Sequence, residues 1–289
     1  MLTDLITGIK SLFFAKEALP VEMSSEHSDF LQQAVVFYRD LTPQDQNRFE
    51  HRCLSFIYAT EFVAHNLEIS EKDKLLVASG SVILAWGFKR WHYVKVDTVI
   101  LVDRAFNEDS LFDQEDSHIT GLVGTHHLRG KMILSQAALH QGFSNSNDKR
   151  NVAIHEFAHL IDMADGEIDG LPRQIAEQSF TLPWFALVQH KIADINQKKS
   201  DIRDYGATNS AEFFAVACEY FFERPKLLKL KHPVLYKALE GFYKQNRADV
   251  HASEHIRKKG PCPCGSGKRY KRCCSSAQLR RAQAGLAAT

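Results

Sequence analysis

Long apolar runs are missing from this chain. No stretch reaches the roughly 18 consecutive apolar residues that a membrane-spanning helix needs, so no membrane span is expected. An export signal is not expected either. Leu2, Leu5, Ile6, Ile9, Leu12 and Phe13 recur at helical spacing, but there is no basic start, unbroken apolar core or small-residue cleavage site. The pattern predicts an amphipathic helix over residues 1–22 that docks on the body. Cysteine is scarce outside one segment: of six, only Cys53 and Cys218 precede residue 262, both in the apolar helical surroundings of inert core thiols. Charge of one sign is lacking overall, with 36 Lys and Arg against 35 Asp and Glu, and no internal repeat is visible. What is present is ordinary for a soluble globular protein: 44% hydrophobic and 25% charged residues. The 289 residues allow one domain of about 250 residues plus an appendage.

Gly and Pro are also absent from residues 152–161, and there the chain reads Val-Ala-Ile-His-Glu-Phe-Ala-His-Leu-Ile. On a helix, His155 and His159 lie one turn apart on the same face, where both imidazoles can reach one Zn2+ at about 2.0–2.1 Å. Glu156 points to the side, where a carboxylate takes a proton from water instead of ligating. Ile154, Phe157, Leu160 and Ile161 make this helix largely buried. Two histidines and a glutamate in such surroundings need hydrogen bonds or a metal to offset their desolvation. Asn147 or Asp148 can cap the helix start, and Gly166 suits its end. The spacing points to a zinc hydrolase, with peptides as the expected substrates.

A catalytic zinc takes three protein ligands and keeps one position open. Two carboxylates compete for the third place. Asp165 would need a Gly at position 162 to turn the chain back toward the metal, and that residue is Asp162. Glu212 sits near the start of the apolar helix Ser210–Phe222, with Asn209 or Ser210 as its cap; Glu219 lies seven residues on, on nearly the same face. We expect Glu212. Tyr205, seven residues earlier, can donate to the oxyanion formed when water attacks a peptide carbonyl. Asp162, three residues past His159, can accept the outer ring N–H of a ligating histidine.

His155-Glu156-Phe157-Ala158-His159, Asp165-Gly166, Asp169-Gly170, Tyr205 and Asn209-x-x-Glu212-Phe213-Phe214-Ala215 resemble the Mlc titration factor A family of zinc metallopeptidases. Arg48-Phe49, Glu61-Phe62 and Thr98–Val102 fit the same family, and the resemblance spans roughly residues 25–250. It implies a glutamate-zincin whose active site is related to that of the anthrax lethal factor catalytic domain. His155, His159 and Glu212 would bind zinc, Glu156 would be the general base and Tyr205 the transition-state donor. It also implies aminopeptidase-like activity, and a repressor, Mlc, as partner of the enterobacterial members. The alternative is a regulator that acts by binding a transcription factor without catalysis.

The even net charge hides an asymmetry. Residues 251–289 hold nine Lys and Arg against Glu254 alone, giving +8, whereas residues 1–250 hold 27 basic and 34 acidic residues, giving −7. Within this basic tail, Cys262-Pro-Cys264, a Gly-Ser-Gly turn and Cys273-Cys274 form a compact four-thiolate cage for one structural zinc. The segment, residues 258–275, resembles the SEC-C motif found at the end of the SecA translocase, which implies docking on a protein or ribosomal surface. Tyr270 is the tail's one aromatic, too few for a nucleic-acid stacking platform. The expected organisation is an N-terminal helix (1–22), a metallopeptidase domain (23–250) and the tail (251–289), in the cytoplasm, with one catalytic and one structural zinc.

The fold class is α+β, mainly helical, with a small sheet beside the metal helix. Helices are expected over Ser24–Leu41, Pro43–Tyr58, Ser70–Trp86, Leu182–Gln197, Asn209–Phe222 and Pro233–Gln245. Strands are expected over Val94–Val102, Gly121–Gly124 and Lys131–Leu139, around a His126-His127 pair read as solvated. An edge strand there can hold a peptide backbone in extended form.

Overall fold

The computed structural model describes residues 22–88, 96–106, 119–124, 128–172, 181–250 and 269. The helix expected over 1–22, His126-His127 and the four tail cysteines fall outside these residues. The chain divides into two compact units, one comprising residues up to Ser146 with Arg150–Glu167, the other Asn147–Lys149 with Ile168 onward.

The first unit begins with α1 (Ser25–Ala34), capped by the Ser24 hydroxyl, which accepts from His27 N. The single helix expected over Ser24–Leu41 is broken. Val35 leaves the helical region at φ −108°, ψ 100°, and a four-residue turn, α2 (Val36–Arg39), follows. The break aims Phe37 and Tyr38 at Phe49, with ring centroids 6.0 and 5.5 Å away. Such aromatic pairs add about 0.5–1.5 kcal/mol beyond area burial, enough to override local helix propensity. Thr42 then caps α3 (Pro43–Ala59), with Pro43 in the first turn where its missing N–H costs nothing. Ser70 and Asp73 form a reciprocal capping box on α4 (Glu71–Ala85), which is buried from Leu75 to Ala85, as befits a helix apolar on all sides.

The sheet contains β1 (Glu61–His65), β2 (Thr98–Val102), β3 (Gly121–Val123) and β4 (Lys131–Ser135) in the order β1-β2-β4-β3. β1, β2 and β4 run parallel; β3 is antiparallel at the edge. All five residues of β2 are buried, and its unbroken apolar run suits the centre of a parallel sheet. The strand expected over Lys131–Leu139 stops at Ser135. There the serine hydroxyl accepts from Ala138 N and starts α5 (Gln136–Ser144), so Leu139 is a helical core residue. Asp73 ties the two helix starts together by accepting from Gln136 (3.1 Å) and contacting His140 Nε2 (2.6 Å).

The motif helix, α6 (Val152–Asp162), is buried at every position. Its cap is Asn151, whose Oδ1 accepts from Ile154 N at 3.2 Å, rather than Asn147 or Asp148. Those two lie too far upstream, because residues 147–150 are not helical. Backbones approach closely on one side: a Cβ at Gly80 of α4 would stand 2.7 Å from Ala153 Cβ. Phe157 meets Phe56 edge-on at 5.6 Å. Each fully buried side chain such as Phe157 or Ile161 contributes about 1.5–3 kcal/mol.

The second unit is helical among the described residues: α7 (Thr181–Asn196), α8 (Ser210–Glu223), α9 (Pro225–Lys231), α10 (Pro233–Tyr243) and α11 (Arg247–Val250). Aromatic packing centres on α8. Phe214 meets Trp184 and Phe242, while Phe221 stacks on Tyr243 at 5.7 Å. The helix expected to run to Gln245 ends at Tyr243, because Lys244 adopts the left-handed conformation that closes it.

Candidate metal centre

α6 presents its two imidazoles one turn apart. The rings of His155 and His159 lie 4.8 Å apart at 79°, and their Nε2 atoms are 3.1 Å apart. His155 and His159 lie in the first unit, and Glu212, the carboxylate expected as third ligand, in the second. Donors around a tetrahedral ion at about 2.0–2.1 Å stand some 3.3–3.4 Å apart. The nitrogen pair therefore has close to the separation that zinc demands. Two imidazole nitrogens and one carboxylate oxygen are a donor set suited to that ion. His159 also occupies the last turn of α6, where the carbonyl end of the helix favours a cation. The residues fit zinc. Glu156 is not part of this group; its side chain is buried and lies against Gly121 of β3.

Glu212 is held in the first turn of α8 by its cap. Asn209 Oδ1 accepts from Glu212 N at 2.8 Å, and a carboxylate there also favours the helix dipole. The start of α8 rests on a backbone of unusual proximity. Gly170 takes φ +79°, and a Cβ on it would stand 2.2 Å from Ser210 O and 2.9 Å from Ala211 N. Trp184 Nε1 donates to the Gly170 carbonyl at 2.8 Å and fixes that turn. Glu219, on the same face by spacing, is buried and engaged elsewhere, in an ion pair with the part-exposed Arg203.

Asp165 is exposed in a 3-10 turn, Met163–Asp165, and its carboxylate accepts from Glu167 N. Asp169 does the same for Leu171 N. Both are turn residues, closing at Gly166 and Gly170 in the left-handed region. Asp162 is fully buried at the end of α6. Tyr205 is half exposed on a second 3-10 turn, Asp204–Ala207. That turn is seated by Gly206, which packs on Val216 of α8.

A part-buried polar cluster secures the segment before it. Asp201 accepts from Tyr220 Oη at 2.8 Å, contacts His232 Nε2 at 2.8 Å and pairs with Lys149 Nζ at 3.4 Å. Burial alone would push the Asp201 carboxyl up. The His232 hydrogen bond, the Lys149 charge and the Tyr220 hydroxyl outweigh it and hold the group well below the usual carboxylate range. This cluster and the close approaches at Gly121 and Gly170 escaped the sequence reading. A signal existed for the glycines, since an isolated Gly in a strand or turn marks close backbone approach. None existed for Asp201, whose partners lie up to 52 residues away.

Residues 15–244 match the family model described as glucose-regulated metallo-peptidase M90, and residues 261–276 match the SEC-C motif. The chain is similar to an uncharacterized protein of Synechocystis sp., 28% identical over 220 residues that cover 72% of this chain and 79% of that protein. It is 34% identical over 124 residues to proteins named Mlc titration factor A from Serratia proteamaculans and Escherichia fergusonii. Those matches cover 41% of this chain and just under half of each relative, 47% and 46%.

Proposed function

We propose, on the premise that the chain belongs to the glucose-regulated metallopeptidase M90 family and carries a SEC-C motif, that it is a zinc-dependent peptidase, an aminopeptidase by preference. The single observation that carries this reading is the pair of imidazole nitrogens, His155 Nε2 and His159 Nε2, 3.1 Å apart on one buried helix, with Glu156 one residue beside the first.

In this reading His155, His159 and Glu212 hold the ion. Zinc supplies a Lewis acid that lowers the pKa of water toward neutrality and polarises a peptide carbonyl. Glu156 accepts the proton of the attacking water on its carboxylate and hands it to the departing amine nitrogen. Tyr205 Oη donates to the oxyanion that develops on the scissile carbonyl, a contact its exposure leaves room for. Asp162 receives the outer N–H of a ligating imidazole and fixes its orientation. β3, the antiparallel edge of the sheet, offers backbone groups for an extended peptide. The four tail cysteines bind a second, structural zinc. A cytoplasmic location fits those reduced thiolates.

The deciding experiment compares Glu156→Gln with the unaltered protein. The variant should keep its zinc and lose peptide hydrolysis by about 10²–10⁴-fold. Undiminished turnover would remove the assigned base. A second reading is favoured by the relatives' name: a regulatory protein that binds the repressor Mlc, with the zincin body as scaffold and the tail as docking module. Repressor binding that survives Glu156→Gln, in a protein with no chelator-sensitive hydrolysis, would support it over the enzyme.

A further inference from the structure

Gly121 is the first residue of β3, and the space a side chain would take there is filled by Glu156. A Cβ on Gly121 would stand 2.5 Å from Glu156 Oε1, 2.7 Å from Glu156 Cγ and 2.7 Å from Val152 Cγ2. Real Cβ contacts do not go so short, so something must give way. The strand is held, because Gly121 pairs with Leu134 of β4, and Leu134 is completely buried. The helix is held, because Ala153 already lies against Gly80. The Glu156 side chain is left to move, and since its Cγ is in the way, it must change rotamer near its root. Backbone conformation does not explain the glycine: the described glycines with left-handed φ are Gly130, Gly166 and Gly170. Space explains it.

We infer that Gly121 is a positioning residue for the proposed hydrolysis, its missing side chain providing the seat in which the Glu156 carboxylate is held beside the edge strand. The inference rests on the reading of Glu156 as the base. A methyl group at position 121 displaces that carboxylate while leaving the three ligating side chains alone. Chemistry fails and metal binding survives.

The test uses full-length protein in a Val152→Ala background, which removes the other side chain in the way. Gly121→Ala is added to it, and zinc content, KM and kcat are measured. Zinc content and KM should hold while kcat falls by about a hundredfold, the usual cost of a reacting group misplaced by an ångström. Unchanged kcat, or loss of zinc along with activity, overturns the inference. A second measurement does not depend on activity. In urea unfolding, Gly121→Ala should lower the midpoint when Glu156 is present and leave it nearly unchanged when Glu156 is replaced by Ala. Equal losses in the two backgrounds mean that Gly121 does not seat Glu156. If the unaltered protein hydrolyses nothing, the enzymatic reading falls, and the unfolding pair still decides whether the two residues compete for one space.

Discussion

Asp201 gathers His232, Lys149 and Tyr220 around one carboxylate. A carboxyl held below its unfolded value near 3.9 adds stability that is fully present above that value and drains away as pH falls toward the folded value. Asp201→Asn should therefore destabilise the protein by about 3 kcal/mol at neutral pH, the cost of orphaning buried charged partners. It should also flatten the loss of stability on acidification, which urea midpoints measured between pH 7 and pH 3 would reveal. At the centre itself, Glu212→Ala should weaken zinc binding more than Asp162→Ala does. The latter should cost about 10–100-fold in affinity, as removal of an outer partner usually does. Competition titration with a zinc chelator ranks the two; equal affinity in Glu212→Ala and the unaltered protein would disqualify the third ligand.

Elements differ in how openly the sequence announces them. α6 was legible because His155 and His159 fall on a 3.6-residue period among apolar neighbours. Its cap was not, because Asn147, Asp148 and Asn151 all precede the helix and only the observed turn selects Asn151. β1 went unexpected: Glu61–His65 alternates weakly, and its strand character comes from pairing with β2, whose sequence lies 37 residues away. Between Ile133 and Leu139 only Ser135-Gln136 interrupts the apolar residues, and no Gly or Pro marks the change from strand to helix at Ser135. Period alone could not separate Glu212 from Glu219 either. The difference is Arg203, which pairs with Glu219. Two element-level predictions follow from the caps and turns. Asn151→Ala should cost about 1 kcal/mol, the value of an N-cap, read as a lower urea midpoint. Gly170→Ala strains a left-handed backbone and drives a methyl into the first turn of α8, so it should cost more than Asn151→Ala and weaken zinc binding as well.

At the scale of the whole molecule, the acidic body and the basic tail predict separable metal sites. Truncation after residue 250 should lower zinc from about two ions per chain to one and preserve peptide hydrolysis, since the tail lies beyond the family match at residue 244. Elemental analysis of both proteins checks this; one zinc in each would leave the tail without its ion. No described helix is long and apolar enough to cross a membrane. The two compact units correspond to nothing in the composition, because the break falls inside the chain twice, around residues 147–149 and again after Glu167.

The complete burial of α6 has one more consequence. Eleven residues locked between α4 and the sheet cannot wait for an ion before taking shape. Architecture there does not depend on the proposed metal, so prolonged dialysis against a chelator should abolish the proposed hydrolysis and leave the far-ultraviolet dichroism of the body almost untouched. A four-thiolate knuckle has the opposite dependence, because it has little besides its ion to hold it together. With both proposed zinc sites filled, one chain would join a frame that tolerates metal starvation to an appendage that registers it.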